Sequence, residues 1–252
     1  MPASVKKWPS LKHPPIILAV FQIRFGKDGI DLSRIDSVEK SIQKTLSKKI
    51  VNHHSDINVI SPPPLGISQM NAKARTSISG YTFFTEDQKQ KLLVECNKFT
   101  YIDEREYQGW ESFTKDVLTF VHICQELFEQ KIIQSISIRF INRFLFTSFN
   151  TPTEYFKTLV SMTNDSNFAF PVSNYGFRIR FDIPEDSIHS FVNQQLENAP
   201  NGKYYFFDID VIKETSLFFD EGFILPIMEE LRTIKNQIFF ENITPKTIEL
   251  CN

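Results

Sequence analysis

Glycine is scarce in this chain, 8 residues in 252, and the scarcity bears first on nucleotide chemistry. A loop that cradles phosphate needs closely spaced glycines so that backbone N–H groups can approach the anion. Neither G-x-x-x-x-G-K nor G-x-G-x-x-G occurs, and H-E-x-x-H and G-x-S-x-G are missing as well. No cofactor is therefore implied. Cysteine is equally sparse: Cys96, Cys124 and Cys251 form no C-x-x-C pair and no even set. That pattern argues against a zinc ribbon or a disulfide framework and fits a reduced, cytoplasmic setting. No apolar run approaches the roughly 20 residues of a membrane span. Met1–Pro15 is polar, basic and proline-containing, without the apolar stretch of a signal peptide. Excess positive charge is lacking too. With 28 basic and 30 acidic residues the net charge is −2, which does not favour nucleic acid and leaves only a local basic face for it.

Phenylalanine is the residue in surplus, 25 of them, within a 41% hydrophobic composition. A chain of this length and composition can bury a full core. An aromatic-rich core is the expectation, and a hydrophobic ligand cavity lined by some of these rings is the alternative.

The segment around which the rest is organised is Ser135–Phe146, SISIRFINRFLF. Its alternation predicts a strand with Ile136, Ile138, Phe140, Asn142 and Phe144 on one face. Ser137, Arg139, Ile141 and Arg143 share the other. Ile16–Phe25 carries the same F-x-x-R-F core, Phe21–Phe25 against Phe140–Phe144. Along the chain, Met1–Pro15 reads as an extended arm and Ser33–Ile50 as an amphipathic helix with a basic outer face. His53 and His54 read as loop rather than metal ligands, since adjacent residues point apart and no second ligand cluster has suitable spacing, and a short strand, Ile57–Ile60, follows. Arg75–Thr85 and Lys91–Lys98 predict a hairpin, Phe99–Gln108 a loop, and Gly109–Gln130 a long amphipathic helix. Thr151-Pro152-Thr153-Glu154 has the form of a helix start, with the helix running to Met162. Tyr175–Ile183 and Tyr204–Ile212 predict strands. Ser187–Leu196 fits helix and strand equally. A helix through Phe223–Ile238 follows, and Asn242–Asn252 reads as a tail or edge strand.

Landmarks recur at similar offsets: Phe21 with Phe140, Glu95 with Asp208, Asn97 with Asp210, Trp110 with Phe223. The expected class is α+β. An arm (1–15) precedes two tandem β-α-β-β-β-α repeats (16–133 and 134–252) that build curved antiparallel sheet backed by long helices. The arrangement resembles the TATA-binding-protein saddle or a helix-grip fold, a likeness that does not fix function.

Several segments also resemble a sporadically distributed bacterial and archaeal family of about this length with no assigned activity. They are Pro14–Phe25, Gly80-Tyr81-Thr82-Phe83, and Tyr107-x-x-Trp110-Glu111-x-Phe113 against a Y-x-x-W-E-x-F signature. Arg139-Phe140-Ile141-Asn142-Arg143 stands against R-Y-x-N-R with Phe140 for tyrosine, and Asp208-Ile209-Asp210 against D-x-D. The resemblance implies a cytosolic prokaryotic protein of two related halves, and its patchy distribution suggests a mobile or defence-associated locus.

Three constellations are candidate sites. Arg139 and Arg143, with Arg178 and Arg180 on a later strand, can present guanidinium groups to carboxylate or phosphate; the structural alternative is a charge ladder to Asp208, Asp210 or Glu95. Asn142, alone on an apolar face, must find a hydrogen bond if buried. Tyr107, Trp110 and Glu111 can form an aromatic platform or simply anchor a helix entry, where Glu111 suits the positive end of the dipole. Asp208, Asp210 and Glu95 are the weak candidates for a metal. The leading expectation is a non-enzymatic binding protein acting through a protein partner or its own oligomer. The alternative is a small-ligand or nucleic-acid-binding saddle using the sheet face, and a carboxylate-metal hydrolase comes third.

Overall fold

The computed structural model describes residues 8–26, 29–58, 73–146, 154–157, 175–183 and 186–252. The chain is α+β, an open, curved antiparallel sheet of nine strands with four α-helices among the described residues. The strands are β1 (Ile16–Phe25), β2 (Lys48–Asn58), β3 (Lys73–Phe84), β4 (Gln90–Glu95), β5 (Lys98–Asp103), β6 (Ile132–Phe146), β7 (Tyr175–Ile183), β8 (Ile188–Ala199) and β9 (Gly202–Phe218). Their order is β2-β3-β4-β5-β1-β6-β9-β8-β7. β1 and β6 therefore lie side by side at the middle, Phe21 opposite Ile138 and Ala19 opposite Phe140.

Alternation decides which face is covered. Phe21, Ile23, Ile136, Ile138, Phe140, Phe207 and Ile209 all point to one side and are inaccessible to solvent, as the period of two dictates. The helices α1 (Ile35–Gln43), α2 (Trp110–Phe128) and α3 (Ile224–Asn242) bring their apolar faces to that same core. On α2, Phe113 stands edge-on to Phe140 at 5.5 Å and Phe128 edge-on to Phe99 at 5.2 Å. On α3, Phe239 stacks on Phe207 at 5.8 Å. α4 (Pro245–Leu250) follows a β-conformation Thr244, with proline in its first turn where the missing N–H is tolerated. No helix among the described residues is long and apolar enough to cross a membrane.

The structure departs from the sequence reading in five places. His53 and His54, expected in a loop, pair with Ile78 and Ser77 within β2, which runs through Asn58; residues 59–60 of the expected short strand lie outside the described residues. The helix expected over Ser33–Ile50 is α1 alone, because Lys48–Ile50 pair with Thr82–Phe84 as the start of β2. Phe99–Gln108 is not all loop, since β5 takes Lys98–Asp103 between β4 and β1. Ser187–Leu196 resolves as strand: Ile188, Ser190, Val192, Gln194 and Leu196 alternate into the core. The tail is helical, not an edge strand. The helix expected from Thr151 to Met162 lies outside the described residues except for 154–157, where Phe156 bridges to Ile243.

Candidate functional site

The predicted residues separate onto the two sides of the sheet. On the uncovered side, strand register lines them up in rows. Arg139 on β6, Asp210 on β9, Phe191 on β8 and Arg180 on β7 stand opposite one another in turn. The next row is Ile141, Asp208, Asn193 and Arg178, and the row beyond it Arg143, Phe206 and Gln195. Neighbouring strands are about 4.8 Å apart, so each row is a continuous strip of side chains.

Within these rows part of the charge is internally paired. Arg139 donates through Nε and Nη2 to the two oxygens of Asp208, both at 2.8 Å, the bidentate geometry guanidinium is shaped for. Asn193 adds a third bond to Asp208 at 2.9 Å. Arg180 pairs with Asp182 at 2.7 Å, both ends exposed. The ladder expected from sequence therefore holds for Arg139 but not for Arg143. The Arg143 guanidinium instead lies 4.9 Å from the Tyr204 ring centre. Arg178 lies 3.8 Å over Phe191, and Arg180 is 5.6 Å from the same ring. Arg143 and Arg178 are exposed and form no direct ion pair among the described residues, although Arg178 acts on Asp210 across the rows. Asp210 is the odd member: its Oδ1 is buried and accepts no hydrogen bond. Burial pushes its carboxyl up to about 6, against the pull of Arg139, Arg178 and Arg24.

Glu95 does not join this group. It ends β4 and pairs with Lys98 at 2.8 Å, and β5, β1 and β6 stand between it and β9. The offset that aligned Glu95 with Asp208 equates a strand end with a strand middle, so the three carboxylates form no single cluster. Glu95 lines a separate open hollow of about 990 Å³ with Phe25, Cys96 and Lys131.

On the covered side Tyr107, Trp110, Glu111 and Asn142 converge on a cavity of about 580 Å³. Trp110 is buried at the first turn of α2, after Gly109, whose φ of 103° suits a residue without Cβ. Its Nε1 donates to Glu229 of α3 at 2.6 Å. Asn142 meets the need anticipated for it by donating to the Phe207 carbonyl at 2.9 Å. Tyr107 packs edge-on to Phe140 at 5.9 Å, and its burial pushes the phenol up. Trp8 of the N-terminal arm stacks on Phe240 at 5.4 Å and closes one wall. Lys235, which the sequence reading did not single out, also lines this cavity. The signal for it was a lysine beside the apolar stripe Leu231, Ile234, Ile238 of α3.

Fold and site together define an α+β protein whose large antiparallel sheet is helix-covered on one face and bears an arginine–aromatic array on the other. Compared with known proteins, the chain matches no family model and no curated sequence.

Proposed function

We propose that the protein is a non-enzymatic binding module whose uncovered sheet face holds single-stranded nucleic acid. The observation that carries this reading is Arg143 and Arg178, exposed, lying over Tyr204 and Phe191, and in no ion pair among the described residues. Planar guanidinium groups beside aromatic rings serve both backbone phosphate and stacked bases. Arg139 is held by Asp208, which accepts from Asn193 in turn. The formal net charge of −2 belongs to the whole chain and does not describe this face.

Two related halves, 16–133 and 134–252, forming a saddle of the TATA-binding-protein type belong to the same proposal. It is supported by the strand order, in which β1 and β6 occupy the centre and each half continues outward from its own central strand. Membership in the sporadic prokaryotic family is part of this reading. Binding is tested by fluorescence anisotropy of a labelled 20-nucleotide oligonucleotide at several salt concentrations. Affinity should fall with salt and fall further in Arg143→Ala and Arg178→Ala; salt-independent or absent binding would refute it.

A second reading, self-association, draws on a different feature. Ile132 and Phe218, partners across β6 and β9, are exposed together where β9 extends past β8, Phe218 by 67%. Exposed apolar groups of this size mark contact surfaces. Sedimentation of the wild type against Phe218→Ser separates the readings, since a dimer made through this patch should dissociate in the variant.

A further inference from the structure

We infer that the cavity enclosed by the N-terminal arm, the start of α2, β6 and α3 binds a small aromatic carboxylate, with Lys235 as its counter-charge. This site lies on the opposite side of the sheet from the arginine rows and does not depend on the reading given to them.

The size comes first. A cavity of about 580 Å³ falls in the range of small-molecule sites. Five aromatic side chains, Trp8, Tyr107, Trp110, Phe239 and Phe240, line it, interspersed with polar groups. Trp8 and Phe240 stack with planes only 8° apart. Flat apolar walls select a flat apolar body.

The charge comes next. Lys235 lies with Nζ 4.6 Å above the ring of Phe140, which is fully buried. The residue as a whole keeps some accessible surface, but its amine is held in the aromatic wall, with no carboxylate or carbonyl partner among the described residues. Burial pushes the amine down to about 7, and neighbouring Arg232 adds to that. Two carboxylates line the same cavity, Glu111 and Glu229, and Glu229 is already engaged: it accepts from the Trp110 indole at 2.6 Å and from Arg232 at 3.3 Å. Arg232 and Glu229 cancel, and Glu111 is exposed to solvent at the start of α2, so protonated Lys235 is a cation held in the wall with no bonded counter-charge among the described residues. One positive charge in an aromatic box fits a monoanion with a ring. A phosphate dianion would be left half neutralised. The Tyr107 hydroxyl, which makes no hydrogen bond to the described residues, is a second donor on the same lining.

The chain's two tryptophans, Trp8 and Trp110, both line this cavity. Intrinsic fluorescence excited in the tryptophan band is thus a direct report on it. The experiment titrates phenylacetate and its neutral analogue phenylacetamide into the unaltered protein at pH 6.5. Phenylacetate should give a saturable spectral change, and phenylacetamide should bind about tenfold more weakly or worse, because it lacks the charge-assisted bond. Lys235→Met should reduce phenylacetate affinity to that of the amide. Above pH 7 phenylacetate affinity should decline, since binding then requires the amine to take up a proton. Saturating oligonucleotide should leave the response in place, which keeps the two sites distinguishable. The acid–amide comparison needs no variant, so it stands whether or not Lys235→Met folds. Equal affinity for acid and amide, or no saturable change up to about 10 mM phenylacetate, would overturn the inference.

Discussion

Lys235→Met should make the protein more stable, and by an amount that depends on pH. Methionine keeps the length of the stem against Phe140 and removes only the amine. The lowering of that amine from its usual 10.5 to about 7 converts, at about 1.4 kcal/mol per pH unit, to a ceiling of about 5 kcal/mol. Some accessible surface on the residue, and the lost contact of the cation with the ring, reduce this to about 2–4 kcal/mol. The direction follows from proton linkage. Above pH 10.5 folded and unfolded chains both carry a neutral amine, and the lysine costs nothing. Between 10.5 and 7 the unfolded chain binds a proton that the folded chain does not, so the wild type loses stability as pH falls. Below 7 the deficit is complete and constant. The groups facing the amine are Arg232 and Glu229 on its own helix, Tyr107 and Glu111 from the start of α2, and Asn142 from β6. The action of Arg232 on the amine is already contained in its lowered value, and the groups' own titration is common to both proteins. Urea unfolding at pH 6, 8 and 9.5 measures it. The variant should be more stable at pH 6, with more than half of the gap gone by pH 9.5. A gap that does not change with pH, or a variant less stable at pH 6, would refute the reasoning.

Asp210→Asn should behave in the mirrored sense. The wild-type carboxyl, pushed up to about 6, carries its penalty above pH 6 and loses it as pH falls towards 4, so the variant should gain about 1–2 kcal/mol at pH 7.5 and nothing near pH 4. Arg139→Ala leaves Asp208, only 9% exposed, with Asn193 as its remaining side-chain partner; thermal or urea unfolding should show a loss of about 1–3 kcal/mol. Gly80→Ala places a Cβ 2.7 Å from the Val94 carbonyl oxygen across the β3–β4 pairing. That backbone cannot yield cheaply, and the same assays should show a loss of about 1–3 kcal/mol.

The strands legible in the sequence were those with one buried face. Ser135–Phe146 alternates along most of its length, and the structure buries the residues the alternation selects, Asn142 included. β5 was missed because Phe99, Thr100 and Tyr101 are all buried in succession, which erases the alternation that marks a strand. α1 was drawn too long because Leu46 and Ile50 continue the i, i+4 spacing by coincidence, beyond the point where the chain turns into β2. β8 satisfied both periodicities, and only its partners β7 and β9 decide between them. The arginines were legible as a face because they lie on alternating strands. Their partners were not, because pairing depends on the order in which strands assemble. The cavity was half visible: Tyr107, Trp110 and Asn142 each stood out locally. Lys235 joins them only through the docking of α3 on β6, a contact between residues nearly a hundred positions apart, which no local pattern encodes.

The central claim is that Arg143 and Arg178 face phosphates on the open side of the sheet. It is tested most directly by the salt dependence of oligonucleotide affinity in the wild type and in the Arg143→Ala, Arg178→Ala double variant. With about two phosphates neutralised, the logarithm of affinity should fall with the logarithm of salt at a slope of about −1.4, and the double variant should flatten it well below that. A wild-type slope near zero, or an identical slope in the double variant, would contradict the account.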